Sequence, residues 1–92
     1  MAQFTEGQII RLPCKVSPGP FSEEPLVTFE TVNGEITGFV SEDDVDTDDR
    51  GNNFLRGIVH AVHGDIIDVW VRGSFFTTNG LAAVRETMVA AA

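Results

Sequence analysis

Turn-forming glycine pairs divide this chain into short β-type runs, and that spacing limits its fold more than any other feature. Asn33-Gly34, His63-Gly64 and Asn79-Gly80 each follow a run rich in valine, isoleucine, threonine or phenylalanine. Asn-Gly suits the positive φ of a tight hairpin turn, so such a pair marks a reversal between two strands. Six short strands with turns at this spacing predict an all-β fold, a small six-stranded barrel or two packed β-meanders of the OB-like or SH3-like kind, with a short C-terminal helix at most. Closing the sheet would also remove edges that a chain of 92 residues could not easily protect. That length predicts one domain. It divides into a first meander over 4–41, an acidic loop over 42–53, a second meander over 54–85 and a tail over 86–92.

The first strand is expected from Gly7 to Val16, with Pro13 bending it or placing it at a sheet edge, because proline has no N–H to give to a ladder. Ser17-Pro18-Gly19-Pro20 should break it, and 21–25 should continue as a loop. A hairpin turning at Val32-Asn33-Gly34-Glu35 would pair Thr31 with Ile36, Phe29 with Gly38 and Val27 with Val40. Its core face then carries Val27, Phe29, Thr31, Ile36 and Val40, while Phe39 points the other way. A second hairpin turning at His63-Gly64 would pair Val62 with Asp65, His60 with Ile67 and Ile58 with Val69, and would set Trp70 against Gly57. Ile58, Ile67 and Val69 would share one face, and Val59, Ile66 and Trp70 the other. A strand pair apolar on both faces is buried on both, or meets a partner on one. Ser74 to Thr78 reads as extended. Leu81 to Val84 reads as a closing strand or the start of a short helix, passing into a helical or frayed tail. Phe4-x-x-Gly7 recurs as Phe54-x-x-Gly57, a loose internal echo of the kind that strand-and-glycine grammar produces by itself.

Charge narrows the partners. The chain has 14 acidic and 6 basic side chains, a formal net charge of −8. Nucleic-acid binding draws much of its affinity from lysine and arginine neutralising phosphates, and a field of this sign repels DNA, RNA and anionic lipid. The expected partner is therefore a protein or a second copy of the chain, not nucleic acid and not a membrane. Met1 to Glu6 has neither a basic region nor an apolar run, and no stretch approaches the ~18 apolar residues that span a bilayer. A cytoplasmic location is expected. An OB-like nucleic-acid-binding domain is the alternative. It would require Arg11, Lys15, Arg56 and Arg72 on one face, with Phe39, Trp70 and Phe75 or Phe76 as stacking platforms.

Few residues suggest chemistry. Cys14 is the single cysteine, so it forms no disulfide within the chain, and its alternating neighbours predict a buried strand thiol. His60 and His63 are three apart, which on a strand sends them to opposite faces and makes them a poor metal pair. Asp44, Asp46 and Asp48 alternate like the opening of an EF-hand loop. The glycine position holds Asp49 and the bidentate glutamate position holds Leu55, so the pattern fails twice. There is no P-loop, dinucleotide fingerprint, Gly-x-Ser-x-Gly or His-Glu-x-x-His. Gly38-Phe39-Val40 and Gly57-x-Val59-x-x-Val62 are similar, over these short stretches only, to the strand grammar of S1-type RNA-binding barrels, but the basic and aromatic surface residues those barrels use are lacking.

No catalytic residue, metal ligand or cofactor is expected. The reading is a non-catalytic protein-interaction or self-assembling module, with Trp70, Phe39, Val59 and Ile66 as the candidate interface. A small-molecule-binding barrel or small enzyme with Cys14 or His60 in a pocket is a further alternative.

Overall fold

The computed structural model describes residues 4–21, 24–75 and 80–91. The expectations for residues 1–3, 22–23, 76–79 and 92, which include Phe76, the first half of the Asn79-Gly80 turn and the end of the tail, lie outside it. In chain order the strands are β1 (Ile9–Phe21), β2 (Glu24–Thr31), β3 (Gly34–Phe39), β4 (Val45–Thr47), β5 (Asn53–His63), β6 (Ile66–Trp70), β7 (Ser74–Phe75), β8 (Leu81–Arg85) and β9 (Ala90–Ala91). The helical content among the described residues is two single 3-10 turns, Glu42–Asp44 and Glu86–Met88. The protein is all-β. Its antiparallel sheet follows the order β7-β3-β2-β1-β5-β6-β8, with β4 beside β5 and β9 beside β1, and curls into a half-barrel.

β1 belongs to both halves of this sheet. Ile9 to Cys14 pair with β5, and Lys15 onward pair with β2. Pro13 stands at the crossover, where β9 has ended at Arg11 and β2 has not begun. One side of β1 has no strand partner there, so the missing N–H costs no ladder bond. Ser17 to Pro20, expected to end the strand, does not. β1 runs on to Phe21, and the register with β2 shifts between Ser17 and Phe21. Prolines two apart lose their donors on one edge only, and the irregular register absorbs the rest.

The core lies inside the curl. Ile10, Val27, Leu55, Val59, Ile67 and Val69 are at most 1% exposed. They come from strands in both halves, at alternate positions, as the pleat requires.

Both hairpins form, each in a different register from the one expected. In the first, Thr31 pairs with Gly34, Phe29 with Ile36 and Val27 with Gly38. Only Gly34 takes a positive φ, of 109°, and Asn33 does not. The Thr31 hydroxyl donates to the Gly34 carbonyl at 2.7 Å and accepts from the Asn33 N–H at 3.1 Å, which closes the tip one residue earlier on each strand. A two-residue slip keeps every side chain on its face. In the second, Gly64, at φ 68°, starts the turn and His63 pairs with Ile66. A bulge between Val59 and Ala61 then leaves Ile58 opposite Trp70, not Val69. That is a slip of one, and it exchanges faces. Val59 joins Ile67 and Val69 in the core, and Ile58 goes outside with Trp70. Gly57 lies opposite Ile10, not Trp70.

The acidic segment is not a plain loop. Ser41 caps the first 3-10 turn by accepting from the Asp43 N–H. Val45, Asp46 and Thr47 then pair with Leu55, Phe54 and Asn53 of β5.

Candidate interaction face

Four adjacent strands place one apolar side chain each at the same level of the outer sheet surface. Ile9 lies opposite Ile58, Ile58 opposite Trp70, and Trp70 opposite Leu81. Direct partners in antiparallel strands project to the same side. Their exposures are 49%, 45%, 45% and 37% in that order, so a continuous apolar row crosses β1, β5, β6 and β8 in solvent. Each strand carries it in an apolar doublet: Ile9-Ile10, Ile58-Val59, Val69-Trp70 and Leu81-Ala82. One member of each doublet is core and the other belongs to the row. The chain matches no protein-family model, no curated protein and no solved structure.

Trp70 is held in place. Its indole N–H donates to Nδ1 of His60 at 3.1 Å, and the two rings meet edge to face with centroids 5.7 Å apart. Behind it, the ring lies so close to Gly80 that a Cβ there would stand 3.3 Å from Cζ3. The polar atom is satisfied and the apolar ring is presented, as is common for aromatic residues at interfaces.

Charge of both signs borders the row on each side, with Arg85 opposite Ile66 one step beyond Asp68. On one side Arg11 pairs across the strands with Arg56. Arg11 stacks over the Phe54 ring at 4.8 Å, and Arg56 reaches Asp46 at 3.5 Å. On the other side Asp68 pairs with Ala83 and holds His63 at 3.1 Å.

Of the residues expected at the interface, Trp70 is on this face, and Ile66 is on it too, half-buried and beyond Asp68. Val59 is not, because at 1% exposure it is core. Phe39 is on β3, separated from β6 in the sheet by β2, β1 and β5. Ile9, Ile58 and Leu81 complete the row, beyond the residues the sequence singles out. The repeated doublet was the signal that could have found them.

The other candidates stand apart. Cys14 borders an open groove of about 370 Å³ with Pro13, Phe29 and Met88, rimmed by Lys15 and Glu35. Burial pushes its thiol up to about 11, so it stays protonated at neutral pH. His60, engaged with Trp70, does not line that groove. The three alternating aspartates take three separate partners. Asp44, nearly buried, faces Arg72 at 3.4 Å, and Asp46 faces Arg56. Asp48 accepts from the Asn52 side chain and from the Asn52 and Arg50 N–H groups, which lowers its pKa. No cluster of three potential metal ligands occurs among the described residues. No described helix is long and apolar enough to cross a membrane.

Proposed function

We propose that this protein is a non-catalytic interaction module that binds a protein surface through the outer face of β1, β5, β6 and β8. The row Ile9–Ile58–Trp70–Leu81 carries this reading. Its members are not scattered single exposures of the kind every surface has. They are aligned cross-strand neighbours, centred on a pre-positioned tryptophan and rimmed by charge, which is the anatomy of an interface.

Two rival readings lose support. Of the four basic residues an oligonucleotide-binding face would need, Arg56 and Arg72 already lie against Asp46 and Asp44, and Lys15 lies 4.0 Å from Glu35 in the other half of the sheet. A phosphate would have to displace those carboxylates. A cysteine enzyme would need a thiolate, and burial keeps Cys14 a thiol. A cytoplasmic location belongs to the same proposal and is tested by cell fractionation.

Photo-crosslinking tests the interaction. A photoreactive phenylalanine analogue placed at Ile58 should give a discrete adduct in cells, lost when Trp70→Glu is added. The same analogue at Glu30, an exposed position on β2, should not. Adducts equal from both positions, or none from Ile58, would overturn the proposal.

A further inference from the structure

We propose that His60 is a pH-sensitive latch on Trp70: the neutral imidazole holds the indole across the sheet, and the imidazolium releases it. The latch is a property of the chain alone. It goes beyond the interaction reading and does not depend on it.

The bulge in β5 builds it. Val59 lies opposite Val69 and Ala61 opposite Asp68, so His60 is the extra residue between them. A regular ladder steps one residue on each strand and would have set His60 directly across from the Asp68 carboxylate. The bulge takes it out of that pair and re-aims its side chain. Its ring turns to the indole instead, with Nδ1 3.1 Å from the indole nitrogen, the ring centroids 5.7 Å apart and the planes at 82°. Both residues are exposed, so a proton reaches the imidazole without any opening of the core.

The chemistry of this contact runs one way. An indole nitrogen has a proton to give and cannot accept one, so Nδ1 must offer its lone pair and His60 must carry its proton on Nε2. A second proton fills Nδ1. Two N–H groups then face each other at hydrogen-bond distance, and the attraction becomes a repulsion. His63 is built the other way. Its Nε2 lies 3.1 Å from Asp68, and a carboxylate accepts from a neutral or a charged ring alike. On acidification one histidine lets go of its partner and the other keeps hold.

The charged surroundings favour the release. From β6, Asp68 is beside the bulge, shared with the titratable His63. From the segment before β1, Gly7 and Gln8 bond to the Val59 backbone, and Glu6 directly precedes them. From β8, Leu81 lies opposite Trp70 and Ala83 opposite Asp68, and neither is charged. On β5 itself Arg56 stands on this face beyond Ile58, engaged with Asp46. The carboxylates of Asp68 and Glu6 therefore offer a charged ring an attraction that the indole does not. The row Ile9–Ile58–Trp70–Leu81 keeps its tryptophan fixed while His60 is neutral and holds it loosely once His60 is charged.

The chain has one tryptophan, so a single indole N–H reports the latch. The measurement is 15N relaxation of that group between pH 8 and pH 5, the span over which imidazole changes charge. The Cε1 proton shift of His60 follows its ring in the same samples, and backbone amide dispersion shows that the protein stays folded. The indole order parameter should lie near the rigid value of about 0.85 at pH 8 and fall below about 0.6 as His60 gains its proton. His60→Gln, whose amide oxygen accepts without titrating, should show no pH response. His63→Gln should keep the parent's transition. The proposal is overturned by an indole equally ordered at both ends while His60 titrates, by a His60 that stays neutral to pH 5, or by a fall of the same size in His60→Gln. A transition lost in His63→Gln would overturn it too, by moving the switch to the wrong histidine. None of these results decides the crosslink from Ile58, so the latch and the interaction module fail separately.

Discussion

At the residue scale, environment decides what each reactive group can do. Cys14 is half-buried on β1, beside the groove it lines with Phe29 and Met88, and its thiol is raised from 9.0 to about 11. The thiolate is the species that reacts, so alkylation by iodoacetamide near pH 8 should run at least about tenfold slower in the folded protein than in the same protein in urea. Equal rates would mean that the thiol is not shielded. The linkage sign follows from the direction of the shift. A thiol with a raised folded pKa favours the folded state while protonated, so its contribution is complete below pH 9 and is lost as pH climbs towards about 11. Urea midpoints measured between pH 8 and 11 should fall, and Cys14→Ala should flatten that fall. Trp70 shows the opposite case, a large apolar ring kept in solvent. Its N–H is satisfied by His60 and its ring is supported by Gly80.

At the element scale, two local features set the strength of the sheet. Gly57 lies in β5, where an added Cβ would stand 2.5 Å from Cγ1 of Val69 and 3.1 Å from the Trp70 carbonyl oxygen. Val69 is fully buried and branched at Cβ, so it has nowhere to move. Gly57→Ala should therefore destabilise the protein by about 1–3 kcal/mol, measured by urea unfolding. A stability within error of the parent would mean that β6 gives way more easily than its packing implies. The first hairpin has the reverse problem. Glu30 and Glu35 are direct partners, two like charges facing each other. Lys15, at 4.0 Å from Glu35, offsets them weakly. Glu30→Lys should raise stability by roughly 0.2–1 kcal/mol, visible as a higher melting temperature that moves back towards the parent's in high salt.

At the scale of the whole molecule, the half-barrel has an open seam. Among the described residues, β8 meets the first hairpin through one backbone bond, from the Val32 N–H to the Ala83 carbonyl at 2.9 Å, beside a gap of about 330 Å³. β5, by contrast, has β1 on one side and β4 then β6 on the other. Amides of β5 should be the slowest to exchange with deuterium and those of β8 clearly faster, since protection follows how completely a strand is partnered. Equal protection of the two would mean that the seam is closed in solution. The charge is distributed at this scale too. Arg56, Arg72 and Arg85 each have an aspartate within 4.0 Å, so the surplus negative charge lies on the other acidic groups.

Local rules made the all-β class, the two hairpins, the strand through Pro13 and the core face of the first hairpin legible in the amino-acid order. Glycine placement and a period-two pattern act over a few residues and need no distant partner. The candidate face was legible only in part. Trp70 and Ile66 stand out as apolar side chains on one face of the second hairpin, but the register expected from the turn puts Val59 with them and Ile58 on the opposite face with Ile67 and Val69. The register of β5 against β6 decides that exchange, and it depends on a bulge near Val59 and a turn begun at Gly64, one residue late. A single-residue slip carries no composition signature and reverses every side chain. Ile9 and Leu81 could not be joined to Ile58 and Trp70 from the sequence, because they lie on strands far apart in the chain. Only the order β1-β5-β6-β8 aligns four doublets into one row, and that order is set by which strands can bury their inner residues together.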